Sequence, residues 1–267
     1  SACLFGCCGH NHAKAETAST IELSLASRPH RWKEMRKLQK EFFLALLDKV
    51  LEYQDDILSL FNLPSIEIIR NSFKEDVEIP GIFELKTGQV KGYERILNEW
   101  QNDIIGQDFT VKEITPDQVP IYDFYELGAY GIGIEKTMQA IIDNLPEGVN
   151  PTIITNTQIV PDVENFYYKE MKKNGLRRVK KKFKNKYYKF ALKQLKKMAK
   201  EGASLIDVGR FIYKNVGEGE AWYWNRIARS ESALAANASF NAQSQASDIR
   251  YEQWSAAANA CPICSAF

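Results

Sequence analysis

Between Cys8 and Cys261 the chain has no cysteine; its five thiols fall into two terminal groups, Cys3, Cys7, Cys8 and Cys261, Cys264. A disulfide framework needs pairs spread through the fold, so that architecture is excluded, and an odd count fits a reducing compartment with thiols free or kept for metal. The three histidines, His10, His12 and His30, all stand in the first thirty residues, which leaves no histidine-based catalytic dyad elsewhere. No run of about 18 uninterrupted apolar residues occurs, so no bilayer-spanning helix is expected and a membrane channel is excluded. Ser1 to His12 lacks the charged head and apolar stretch of a secretory signal, and the protein is expected to be intracellular when made.

What is present is an ordinary globular composition, 45% hydrophobic and 26% charged over 267 residues, with room for one large domain or two. Residues 1–28 are expected to form a flexible arm ending before Pro29. Met35, Leu38, Phe42, Leu46, Val50, Tyr53, Ile57 and Leu60 then recur at steps of three and four, one apolar stripe on a long helix that Pro64 stops. Shorter amphipathic helices are expected over Ser65 to Phe73 and Tyr93 to Ile105. Ile121 to Ile142 reads as one helix or a helix pair, since Gly128, Gly131 and Gly133 weaken a single continuous one. A stretch rich in Pro, Asn and Thr from Asn144 to Pro161 marks a boundary between a helical docking region, 29–150, and a second module, 151–267. In that module Val163 to Lys200 is helical, with Leu176, Val179, Phe183, Tyr187, Phe190 and Met198 on one stripe and Gly202 closing it. Ser204 caps a short helix, Gly217 ends that helix, and the last one runs from about Glu220 to Ala246. Only Ile249 to Ser255 alternates like a strand. The predicted class is mainly α: a helical N-terminal region plus a C-terminal α+β module with one small strand element.

The 35 basic and 34 acidic residues nearly cancel, which conceals a strong asymmetry. Between Asn165 and Lys200 stand fifteen basic residues (Lys169, Lys172, Lys173, Arg177, Arg178, Lys180, Lys181, Lys182, Lys184, Lys186, Lys189, Lys193, Lys196, Lys197 and Lys200) against Glu170 alone, so that segment carries a net +14 and the rest of the chain about −13. A helix of about 36 residues is roughly 54 Å long, and lysines packed around it repel one another unless a polyanion or an acidic surface lies alongside. Nucleic-acid backbone is the natural partner, bound with strong salt dependence and without regard to sequence. Arg177, Arg178, Lys180, Lys181, Lys182, Lys184, Lys186 and Lys189 are the candidate contacts. Tyr187, Tyr188 and Phe190 have the chemistry to stack on bases, although their helical spacing suits core packing.

Cys261-Pro-Ile-Cys264 has the spacing of a zinc knuckle, two thiolates able to reach one tetrahedral ion. It supplies half a site; Cys3, Cys7, Cys8, His10 and His12 are the other available ligands. The βαβ setting of a redox Cys-x-x-Cys is missing. Glu218-Gly-Glu220 has the spacing of the paired glutamates of a mono-ADP-ribosyltransferase, but a helix-to-helix turn with Glu220 at the next helix's N-terminal dipole accounts for it. Gly128, Gly131 and Gly133 are not a phosphate loop, because no Lys-Ser/Thr follows, and close helix packing explains them. Arg226 and Arg229 stand one turn apart, while Arg229 and Glu231 do not share a helical face; a buried polar network tying helix to strand is the modest reading.

Five features follow one another in order: the Lys-rich helix, Gly202-Ala-Ser-Leu-Ile-Asp-Val208, Arg226-Ile-Ala-Arg-Ser-Glu-Ser-Ala-Leu-Ala-Ala-Asn237, Tyr251-Glu-Gln-Trp254 and Cys261-Pro-Ile-Cys264. This order resembles the phage head morphogenesis family, the Mu protein F-like minor head proteins, over roughly the last 100 residues. Arg-Ser-Glu stands where that family usually shows Arg-Thr-Glu. The acidic residue usual ahead of the Cys pair and the family's downstream His-Pro-x-Cys-x-Cys segment have no counterpart here. Either the chain is a truncated or processed form, or the N-terminal Cys/His cluster compensates.

The resemblance implies a minor head (minor capsid) protein at or near the portal, acting in head morphogenesis, DNA packaging or DNA delivery by binding and not by turnover. Its partners would be portal protein, major capsid protein and packaged double-stranded DNA, with no membrane. Its place would be the virion head or portal vertex, and the host cytoplasm during assembly. Arg226, Arg229, Glu231 and Trp254 would be the structural motif, and Cys261 with Cys264 a partial zinc site. The alternative is an enzyme of the ADP-ribosyltransferase or zinc-dependent type found with the same family.

Overall fold

The computed structural model describes residues 32–106, 119–143 and 166–246. Helix α1, Lys33–Leu60, forms on the expected stripe: Met35, Phe42, Leu46, Val50, Tyr53 and Ile57 are buried along one side. It ends at Asn62, whose φ of 53° is left-handed, with the Leu63 amide donating to the Leu58 carbonyl and the Asn62 amide to that of Ser59. Those two bonds satisfy carbonyls that a helix end otherwise leaves open, and asparagine tolerates the conformation they require. Helix α2 is the single short piece Ile66–Asn71.

Helix α3, Thr87–Ile105, begins well before the expected Tyr93. Gly88 and Gly92 weaken its opening turns as a sequence signal, but the Gln89 side chain accepts from the Lys86 amide at 2.9 Å and anchors the start. Helix α4, Ile121–Asp143, is continuous through its glycines. The reason is packing: a Cβ on Gly133 would run into the Ser239 hydroxyl and come within 2.7 Å of the Ala236 carbonyl on the last helix. What glycine loses in helix propensity is offset by the close approach it permits.

Helix α5, Phe166–Lys182, passes without a break into a π-helical stretch, Phe183–Ala191, and on into α6, Leu192–Lys200. Gly202 then takes a φ of 66°, with the Ala203 amide donating to the Met198 carbonyl, the same stop that Asn62 provides for α1. Helix α7, Leu205–Asn215, starts at Ser204, whose hydroxyl accepts from the Asp207 amide. A 3₁₀ turn, Glu218–Glu220, leads into α8, Ala221–Ala246.

The architecture is mainly α: 82% of the described residues are helical and none of them lies in a strand. An isolated bridge pairs Ile82 with Ser204. The expected strand, Ile249 to Ser255, and the expected boundary, Asn144 to Pro161, lie outside the described residues. Helices from both sides of that boundary share one apolar core. Trp100 of α3 stands at its centre, stacked on Tyr53 of α1 at 5.8 Å and on Tyr187 of the π segment at 5.0 Å, with Phe183 edge-on and Trp224 of α8 tilted beside it. A second buried cluster joins Ala129, Tyr130, Ile134 and Met138 of α4 to the small residues Ala235, Ala236, Ala238 and Ala242 of α8, together with Trp32 and Met35. Rings of this size each bury roughly 200 Å², so the core rests on aromatics from four elements distant in sequence.

Burial pushes the phenols of Tyr93, Tyr122 and Tyr187 upward from their ordinary value, and that of Tyr223 up to about 12. A phenol whose pKa is raised by folding stabilises the native state fully below its unfolded value and loses that contribution as pH climbs through the folded value. Lys182, held low by burial, works the other way, one group against these phenols and those of Tyr53, Tyr125, Tyr188 and Tyr213, which are raised as well. Stability from urea titrations is therefore expected to fall once pH exceeds about 10, with tyrosinate absorbance rising as the chain unfolds. Stability that stays level above about pH 10 would contradict this.

Candidate polyanion interface

The basic helix shows its core a residue every fourth position: Gly175, Val179, Phe183, Tyr187, Ala191 and Leu195 are all buried. A plain α-helix would let that row drift around the axis, because four residues exceed one turn of 3.6. The wider π turns between Phe183 and Ala191 cancel the drift and keep the row on the core. They also open a backbone carbonyl to an outside donor, and the Tyr93 hydroxyl donates to the Tyr187 carbonyl at 2.9 Å. Phe190, placed on the stripe by its sequence spacing, is consequently 42% exposed, and Ala191 takes the core position instead.

The same register divides the cations into two sets. On the inner side, Lys182 and Lys186 both reach the carboxylate of Glu220 at the head of α8, Lys186 at 2.6 Å. Glu220 is 3% exposed and the Lys182 side chain 10%. The Lys182 ammonium also stands 4.0 Å from the centroid of the Tyr223 ring. Its pKa is lowered, chiefly because burial disfavours the charge, against the opposing pull of Glu220. One turn back, Arg178 reaches Glu231 of α8 through Nε at 2.9 Å and Nη2 at 2.5 Å. Glu231 is fully buried, beside the Tyr122 hydroxyl and Glu126. Burial works against the Arg178 charge, but Glu231 outweighs it and raises the pKa.

On the outer side, Arg177, Lys180, Lys181, Lys184, Lys189, Lys193, Lys196 and Lys200 are exposed and have no ion-pair partner among the described residues. Lys197 meets Glu201 at 3.6 Å, an exposed pair of little energetic weight. Of the eight candidate contacts, the structure therefore leaves Arg177, Lys180, Lys181, Lys184 and Lys189 facing solvent. It turns Arg178, Lys182 and Lys186 inward onto buried carboxylates, which removes them from a phosphate-binding face. Sequence spacing alone missed this, because nothing adjacent in sequence pairs with them; the acids come from the head and body of α8, more than thirty residues on.

Glu218 and Glu220 form the expected turn, and their carboxylates take different partners: Glu218 meets Arg70 at 2.6 Å while Glu220 holds the two lysines. The Glu218 amide donates to the buried Gln54 side chain, tying the turn to α1. Arg226 is exposed over the rings of Trp222 and Tyr223, 5.8 Å from each centroid, and Arg229 is exposed one turn on. Of the three residues expected in a buried polar network only Glu231 is buried, and its ion-pair partner is Arg178 of the basic helix and neither Arg226 nor Arg229; the strand that network was to reach lies outside the described residues. Trp254, Cys261, Cys264 and the N-terminal Cys/His cluster lie outside the described residues. Among the described residues no group of three or more His, Cys, Asp or Glu is placed to hold a metal, and no helix is long and apolar enough to cross a membrane.

Comparison with family models, curated proteins and solved structures returns no match.

Removing one partner of a buried ion pair costs about 3–5 kcal/mol, because the other charge stays behind without water. Glu220→Gln is expected to lose about 3 kcal/mol in urea denaturation. Adding Lys182→Met to that variant should recover much of the loss, since Lys186 can turn to solvent. A loss below about 0.5 kcal/mol, the scale of exposed pairs, would show that Glu220 is not a buried anchor.

Proposed function

We propose that this chain is a DNA-binding structural protein of a phage head: a minor head protein at or near the portal that lays the outer face of α5 and α6 along packaged DNA. The observation that carries the DNA contact is the set of exposed cations between Arg177 and Lys200 that have no ion-pair partner among the described residues, on a helix whose three inner cations are held by two buried carboxylates. Such a face lowers its self-repulsion by condensing on phosphate and releasing counterions, a binding mode blind to sequence. Portal protein and major capsid protein enter as partners through the ordered motifs of the C-terminal module, Arg226 to Glu231 among them. The acidic balance of the remaining chain suits docking on a protein surface and not on DNA. No specific geometry favours the enzyme reading, since the two glutamates it would use have separate cationic partners.

Replacing Arg177, Lys180, Lys181, Lys184 and Lys189 together by Gln leaves every buried pair intact, so the fold should keep its helical circular dichroism. Affinity for duplex DNA is expected to fall, and the slope of log affinity against log salt to flatten by about 0.9 for each phosphate that the variant no longer neutralises. On intact particles, the same helix should crosslink to head components. Unchanged affinity and slope would overturn the DNA role, and absence of the protein from particles would overturn its placement there.

A further inference from the structure

Where the basic helix passes α3, the side chains leave an open groove of about 310 Å³. Buried Leu97 and Phe183 give it an apolar floor, the amides of Asn98 and Gln101 stand along one side, and Tyr188 along the other. Lys184 and Lys189 flank it, both exposed and without an ion-pair partner among the described residues. Each of these features asks something different of an occupant. The floor and the tyrosine ring favour a flat apolar face, and the two lysines favour negative charge next to it. A duplex satisfies only the last demand, because its bases are stacked inside.

We propose that this groove takes one unstacked base of a single-stranded nucleic acid, with the phosphates on either side of that base resting on Lys184 and Lys189. Lys184 and Lys189 stand five positions apart inside the π segment, a little over one turn, on the order of 5–6 Å along the axis. A strand with a base drawn out of its stack is stretched beyond the roughly 3.4 Å rise per nucleotide of stacked DNA and spans that gap. Stacking on an aromatic ring is tolerant of base identity, so the groove adds a preference for unpaired strands without adding sequence specificity. This inference rests on the nucleic-acid reading of the basic face and sharpens it: that face prefers single-stranded or locally opened DNA over closed duplex.

The test compares three probes by fluorescence anisotropy at one salt concentration: a short single-stranded oligonucleotide, an abasic strand of the same phosphate number, and the corresponding duplex. The strand with bases is expected to bind about tenfold tighter than the abasic strand. Tyr188→Ala should erase most of that difference while leaving the salt slope unchanged. Asn98→Trp, which fills the groove from an exposed position and leaves the core untouched, should do the same. Equal binding of the strand with bases and the abasic strand, with salt dependence retained, would overturn the groove and leave the phosphate contact standing. Tightest binding to the duplex would also overturn it. Binding to none of the three would overturn the nucleic-acid reading itself.

Discussion

Glu220 has lost nearly all of its hydration at the point where the last helix begins, and a carboxylate in that position is stable only if cations are buried with it. Lys182 and Lys186 supply them from the basic helix, and Arg178 does the same for Glu231, about three turns further along α8. Buried pairs of this kind do not add much net stability over apolar side chains, because desolvation consumes most of the attraction. What they share is an orientation: one rotation of the lysine-rich helix about its axis brings Lys182 and Lys186 to Glu220 and Arg178 to Glu231 at once.

That rotation has to hold over the whole length of the helix, and the π segment is what makes it hold. With 3.6 residues per turn throughout, the buried row that runs from Val179 to Leu195 at steps of four would drift off the core. The widened turns from Phe183 to Ala191 absorb the mismatch, place Phe190 in solvent, and let Tyr93 bond the Tyr187 carbonyl. A single backbone irregularity thus keeps the aromatic core continuous and collects the remaining lysines on one outer face. The groove between Leu97 and Tyr188 lies on the same stretch, where that face meets α3.

Much of this was legible from the sequence, and the rest was hidden for identifiable reasons. The stripe from Met35 to Ile57 specified α1, Ser204 specified the start of α7, and Gly202 the end of the basic helix, because each depends on residues close in sequence. The start of α3 was obscured by Gly88 and Gly92, whose poor propensity is overridden by the Gln89 cap. The continuity of α4 was obscured in the same way, since the value of Gly133 comes from Ala236 and Ser239 on another helix. The π register has no local signature in a run of lysines and aromatics. The division of the cations was invisible for a related reason: Lys182 and Lys184 look alike until α8 brings Glu220 to one and not the other. The functional reading draws on both levels, a charge asymmetry seen in the sequence and a separation of inner from outer charge seen in the fold.

Amine-reactive footprinting read by mass spectrometry tests that separation of inner from outer charge residue by residue. On the folded protein, Lys180, Lys181, Lys184 and Lys189 are expected to label quickly and to be protected when DNA is added, while Lys182 and Lys186 label slowly in both conditions. Labelling of Lys182 as fast as that of its neighbours would contradict the buried anchor, and outer lysines indifferent to DNA would contradict the interface built on it.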